Sequence, residues 1–210
     1  MSLLDAPTTE FLDRLATNEP VPGGGSVAGL TGAMAAGLIS MVCSLTIGKK
    51  KYADVEDDMR GLFDQAETLR RELQDLTDAD VEAFRRLSAA YKSPRETPAD
   101  VAIRRDAIQQ ATRLATDVPL RTAQAAAAIL PLCLPAAQKG NSAAVSDVGV
   151  AALLAQAAVR SALLNVEINL NSLEDQIYVR QTRAHVQALT ATLTEDTEAI
   201  MALVHDQMRG

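Results

Sequence analysis

A chain of 210 residues with 48% hydrophobic and 22% charged side chains has the composition of a globular protein, not of a disordered or low-complexity one, and its length fits a single domain over residues 1–210. A formal net charge of −7 argues against nucleic acid or an anionic membrane as the main partner, since both call for a basic face. Two cysteines, Cys43 and Cys133, lie in apolar runs without metal-ligand spacing, so neither a disulfide framework nor a zinc site is expected, and with no secretory or transit signal at the amino terminus the expected compartment is the cytoplasm.

Strand signals are nearly absent, and Ala, Leu, Glu, Gln and Arg dominate every long segment, so the fold class is all-α, a single-domain bundle of about five to six helices. Thr8 or Thr9 can cap a short helix to about Ala16, which NEPVPGGGS ends with two prolines and three glycines. A second helix is predicted from about Val27 to Ile47. The stretch Ser26 to Ile47 is uncharged and long enough to span a bilayer, but more than half of it is Ala, Gly, Ser or Thr, and no second such span is expected. A buried helix is the better reading. Its Ala28, Gly32, Ala36, Ser40 and Ser44 form a stripe of small side chains for close packing.

After GKKKY a long helix is predicted from about Val55 to Tyr91, with a seam of Leu62, Ala66, Leu69, Leu73, Leu76, Ala83, Leu87 and Tyr91 at 3–4 spacing. A fourth segment runs from Pro98 to about Leu134, kinked or divided at Pro119 and Pro131; a fifth from about Ala143 to Ser172; a sixth from about Asp175 to Met208.

The seam contains an anomaly. Four residues beyond Leu76 stands Asp80, a carboxylate in a core position, whereas Asp78 and Glu82 lie about 200° away and should face outward. Desolvation raises the pKa of a buried carboxylate toward the range useful for proton transfer, unless a basic partner or a backbone N–H satisfies it structurally. On the fifth helix Asn165, Asn169 and Ser172 share a polar face within an apolar helix, either fixing helix register or reading a heteroaromatic ligand. Asp147 shares the azimuth of Asn165 but lies about 27 Å away along the axis, so both serve one pocket only if a two-fold dimer brings them together.

PVPGGGS offers Gly23, Gly24, Gly25 and Ser26 as a backbone-rich approach to a helix amino terminus, suited to an anion, although a tight connector is the better reading of this stretch alone. It lacks the Gly-Lys-Ser/Thr ending of a nucleotide loop. Lys49 and Lys50 in GKKKY are candidate captors of a carboxylate or phosphate, set against the simpler view of a solvated helix end, and Asn141 in the loop after Lys139 completes the candidate binding set. His185 and His205 cannot meet on one helix, and no metal-ligand motif is present.

Taken together, FLDRLATNEPVPGGGSVAGLTGAMAAGLISMVCSLTIGKKKY, LTDADVEAF, KGNSAAVSDVGVAALL and LLNVEINL resemble the formiminotetrahydrofolate cyclodeaminase and methenyltetrahydrofolate cyclohydrolase family over nearly the whole chain. The resemblance implies an all-helical homodimer with an active site at or near the subunit interface. It implies action on one-carbon units carried by tetrahydrofolate, with no metal and no cofactor beyond that substrate, and it assigns the catalytic role to the second Asp of DAD, Asp80. Fused relatives carry a formiminotransferase that this chain does not, which inclines the expectation to the cyclohydrolase, 5,10-methenyltetrahydrofolate plus water to 10-formyltetrahydrofolate. The cyclodeaminase converts 5-formiminotetrahydrofolate to the methenyl form and ammonia. A rival from another class is a helical dimerisation or scaffold module without catalysis, which has no use for a carboxylate in the seam.

Overall fold

The computed structural model describes residues 3–209, which form eight α-helices and three short 3-10 turns, with no strand among them. The helices are α1 (Thr8–Leu15), α2 (Gly24–Ser44), α3 (Glu56–Tyr91), α4 (Pro98–Ala127), α5 (Leu130–Lys139), α6 (Val145–Leu170), α7 (Gln176–Thr190) and α8 (Leu193–Arg209). The all-α bundle expected from the sequence is what forms.

Four helices make the core, α2, α3, α4 and α6, with α2 and α4 each antiparallel to α3 and α6. Along α2, Gly25 faces Asp80 of α3 while Gly37 faces Arg70. Arg121 of α4 meets Glu72 of α3, and Gln109 and Ala115 of α4 meet Ser172 and Asn169 beyond and within α6. α5 and α8 flank the first half of α6, and α7 lies against α4.

Small side chains set the spacing. Ala28, Ala35 and Ala36 of α2, Ala123 and Ala126 of α4, and Ala151, Ala155, Ala158 and Ala162 of α6 are all buried, which lets the helix axes approach closely. The predicted stripe on α2 is used against α3: a Cβ on Gly32 would meet the Leu73 methyls at 3.0 and 3.2 Å, and one on Gly29 would lie 2.6 Å from Thr77 Oγ1. Ser44, at the end of the stripe, is exposed.

Several boundaries differ from the sequence reading, each for a local reason. Thr8 is the first helical residue of α1, and Pro7 takes the capping position without a side-chain bond. α2 starts at Gly24, three residues early, with Gly23 as its extended cap, so the glycines form a first helical turn instead of a loop. It ends at Ser44 because Leu45–Gly48 turns away, with Gly48 at φ +76. Pro119 stays inside α4, whereas the chain breaks at Ala128–Ile129 and Pro131 sits in the first turn of α5. The last segment splits at Ala191–Thr192, where the Thr192 hydroxyl donates to Asp196 at 2.7 Å. Asp175 caps α7 and Thr97 with Asp100 forms a reciprocal cap for α4.

Two expectations about faces are corrected. Asp78 does not point to solvent; it accepts the Leu3 backbone N–H at 2.8 Å and ties the amino-terminal turn to α3. Tyr91, the last seam position, is exposed beneath the Arg104 guanidinium, because α3 there outruns the core. Three segments, not one, are long and apolar enough to cross a membrane: Gly24–Ser44, Pro98–Lys139 and Ser142–Leu170. Half or more of each apolar window is buried against the other helices. Cys43 and Cys133 are buried free thiols, pushed by desolvation to about 11 and about 12.

Candidate functional site

Asp80 stands where the amino terminus of α2 meets α3, α4 and α6. Its carboxylate accepts the Ser26 hydroxyl at 2.9 Å, and the Ser26 backbone N–H, in the first turn of α2, faces the same group. Neither basic residue nor salt bridge offsets it among the described residues. Burial pushes the carboxyl above its ordinary range, and the two Ser26 hydrogen bonds oppose this without reversing it. The carboxyl therefore holds its proton to a higher pH than an ordinary aspartate does.

The glycines explain how the carboxylate reaches this place. A Cβ on Gly25 would lie 2.0 Å from Asp80 Oδ1 and 2.5 Å from its Cγ, so only glycine allows the first turn of α2 to close on the side chain. Gly24 lies beside the Asn165 amide, 3.7 Å from where its own Cβ would stand. The helix-dipole end and free N–H groups foreseen for an external anion are thus partly taken up by a carboxylate of the protein itself.

A cavity of about 240 Å³ opens beside Asp80, walled by Phe84, Ala115, Asn165, Ile168 and Asn169. Asn165 donates Nδ2–H to the Ser161 carbonyl at 3.0 Å, and Asn169 donates to the Ala115 carbonyl at 2.6 Å. Ala115 and Ile168 had no signal in the sequence, since an alanine or isoleucine on a helix reads as core. Phe84 is the one aromatic residue on this wall.

The sequence-derived candidates therefore divide in two. Asp80, Gly24, Gly25, Ser26, Asn165 and Asn169 come together, with Gly23 as the cap of α2 just outside. Lys49, Lys50, Asn141 and Asp147 lie at the opposite end of α2, about 30 Å away at 1.5 Å per residue. Lys49 and Lys50 are exposed in the turn after α2. Asn141 is engaged in holding that end together: its N–H donates to Thr46 Oγ1 at 2.8 Å, its Nδ2 to the Leu45 carbonyl, and its Oδ1 accepts the Ala143 N–H. Asp147 lies in the first turn of α6.

A cavity of about 560 Å³ occupies this second end, walled by Lys51, Tyr52, Gln138, Lys139 and Ser142. Of the three lysines in the run, the one on this wall is Lys51, with its ammonium 5.1 Å from the Tyr52 ring. Among the described residues no group of three or more His, Cys, Asp or Glu is placed to hold a metal ion.

Known proteins are similar to this chain over most of its length. The profile of formiminotransferase-cyclodeaminase matches residues 7–188. The chain belongs to the formiminotransferase-cyclodeaminase family. A methenyltetrahydrofolate cyclohydrolase of Methylorubrum extorquens is 42% identical over 198 residues, covering 94% of this chain and 95% of its own. A formimidoyltransferase-cyclodeaminase of Rattus norvegicus is 35% identical over 188 residues, 90% of this chain but only 35% of that longer protein. The crystal structure of a formiminotetrahydrofolate cyclodeaminase from Thermotoga maritima superposes with a TM-score of 0.86 at 28% identity, covering 98% of both chains. Family membership thus rests on full-length similarity, and the Asp80 geometry on this chain alone.

Proposed function

We propose that the chain is a folate one-carbon enzyme, a methenyltetrahydrofolate cyclohydrolase in which Asp80 moves the protons. The observation that carries the reading is the cation-free Asp80 carboxylate, held above its ordinary pKa on the wall of a cavity. The 42% identity to the Methylorubrum protein, end to end in both chains, favours the cyclohydrolase. Cyclodeamination of 5-formiminotetrahydrofolate is the second reading, favoured by the Thermotoga structure.

In the first reaction, ionised Asp80 takes a proton from water as the oxygen bonds to the methenyl carbon, and the C=N electron pair settles on nitrogen. The C–N5 bond then breaks, protonated Asp80 delivers its proton to N5, and the hydroxyl proton leaves to solvent as the formyl group forms on N10. In the second, N10 attacks the formimino carbon as the C=N electron pair settles on the formimino nitrogen; Asp80 takes the N10 proton and passes it to that nitrogen, a second proton comes from solvent, and ammonia leaves as the N5 lone pair forms the methenyl C=N bond. One group that exchanges a proton serves both. The chemistry calls for no metal and no cofactor beyond tetrahydrofolate, and a cytoplasmic setting fits it.

The cavity beside Asp80, at about 240 Å³, is below the size of sites that enclose a drug-sized ligand. A second subunit would complete it. Met34, Met41 and Leu45 make an exposed apolar row on the uncharged α2, and Leu164 and Ile168 of α6, 74% and 68% exposed, continue apolar surface to the rim of the Asp80 cavity. Two-fold pairing across α2 would set the lysine end of one subunit against the Asp80 end of its mate, giving a homodimer with shared sites and a cationic grip on the glutamate tail of folate.

The test of the activity is the loss of methenyltetrahydrofolate absorbance, run beside ammonia release from the formimino substrate. Cyclohydrolase turnover without ammonia release supports the first reading; ammonia release alone supports the second; neither, with no rise in melting temperature on adding folate, supports a non-catalytic module. For the shared site, an Asp80→Asn chain mixed with a Lys49→Ala, Lys50→Ala, Lys51→Ala chain is expected to regain activity at one of two sites per mixed dimer. A verified heterodimer no more active than its parents would refute sharing.

A further inference from the structure

Pro119 lies buried inside α4, where it supplies no N–H to the carbonyl four residues earlier, that of Ala115. A backbone carbonyl freed within a bundle needs another donor. Asn169 of α6 provides it, with Nδ2 2.6 Å from the Ala115 oxygen. Were residue 119 anything but proline, the α4 backbone would compete for that oxygen, and the Asn169 amide would lose its fixed orientation.

The consequence lies in the half of the amide that remains. With Nδ2 committed to Ala115, Asn169 presents Oδ1, and no hydrogen bond to that atom is made among the described residues. Asn165 is oriented the same way, its Nδ2 tied to the Ser161 carbonyl. Both residues and Asp80 wall the same cavity, so when Asp80 is ionised three acceptor groups, the two Oδ1 atoms and the carboxylate, stand beside the one N–H that each amide has left. Such a set favours the N–H edge of a ligand over an acceptor edge, which would leave most of these acceptors unpaired, a cost where water is excluded.

We propose that Pro119 is a positioning residue that acts through Asn169: by withholding an N–H from the Ala115 carbonyl it locks the Asn169 amide with Oδ1 as an acceptor, selecting the N–H donor edge of a 2-amino-4-oxopyrimidine ring such as that of a pterin. The identity of the ring rests on the folate reading above; the lock does not.

The test has two arms. In the unliganded protein, NMR of Pro119→Ala should show the Asn169 side-chain amide protons shifted and exchanging faster with water, their signals being assigned by their loss in Asn169→Ala. Wild-type shifts and exchange in Pro119→Ala would overturn the lock whatever the substrate is. In the second arm, Pro119→Ala and Asn169→Ala are each expected to raise KM for methenyltetrahydrofolate about tenfold, as the loss of one ligand hydrogen bond would, with kcat within about twofold of wild type. The double variant should be no worse than Asn169→Ala alone. Independent, multiplying effects would show that Pro119 acts through packing and overturn the coupling. Pro119→Ala should melt no lower than wild type, since it regains a helix hydrogen bond; a lower melting point with wild-type KM would likewise overturn it. If wild type neither turns over nor binds the folate, the functional reading fails while the NMR arm still decides the lock.

Discussion

Asp80→Asn is expected to lower turnover by about 100-fold or more, the range general acid–base groups contribute, while the protein remains folded and at neutral pH is at least as stable as the native chain. Asn keeps the volume of the side chain and can still accept from Ser26, but it cannot carry a proton. The stability half follows from linkage. Burial raises the folded-state pKa of Asp80 above its ordinary value near 3.8. A group shifted upward contributes stability below its unfolded pKa and loses that contribution as pH rises through the folded one. Above that folded-state pKa the half-buried, ionised carboxylate is therefore a cost that the neutral amide removes. Thermal melts of both proteins should coincide or favour the variant at pH 7, with that advantage shrinking as pH falls toward 4. Near-normal activity in the folded variant would remove Asp80 from the chemistry. A variant less stable at pH 7 than at pH 4, relative to wild type, would contradict the account of its burial.

Gly25→Ala is expected to be nearly as damaging to activity, through a single methyl group. The added Cβ would stand 2.0 Å from Asp80 Oδ1, 2.5 Å from Cγ and 2.8 Å from Oδ2. No contact that short survives, and the carboxylate is held by the Ser26 hydroxyl and the Ser26 backbone N–H. Either Asp80 rotates away from Ser26 or the first turn of α2 lifts from α3. The first outcome misplaces the proton donor; the second loosens the most intimate helix contact of the site. Overpacking of this kind costs roughly 1–3 kcal/mol. Gly24→Ala is the control, since its Cβ would meet only Asn165, at an ordinary 3.7 Å. Urea unfolding and kcat/KM of the pair should separate them clearly. Wild-type kcat in Gly25→Ala would show that the close approach of α2 to Asp80 is not needed.

The sequence reading found Asp80 because a carboxylate interrupted a 3–4 spacing that the rest of α3 keeps, and periodicity is the signal a single chain expresses most clearly. Asn165 and Asn169 stood out for the same reason on α6. The start of α2 was misplaced because helix propensity sets glycine outside a helix, whereas here contact with Asp80, 55 residues on from Gly25, decides. The break before α8 did have a signal, Thr192 followed three residues later by Glu195, the pattern of a capped helix start. Pairings such as Ala115 with Asn169 are set by which helices become neighbours, and no local pattern announces them. The lysine cluster was visible as charge, but which lysine stands on the cavity wall depends on the turn after α2, and that turn selects Lys51.

The pH dependence of kcat/KM for methenyltetrahydrofolate hydrolysis, measured on the wild type and on the residual activity of Asp80→Asn, decides whether Asp80 is the base. With Asp80 as the base, activity should fall as pH drops through its raised pKa, giving an acid limb above the ordinary aspartate value near 3.8, and that limb should be absent from the variant. The same limb in both proteins, or a wild-type limb at the ordinary aspartate value, would contradict it.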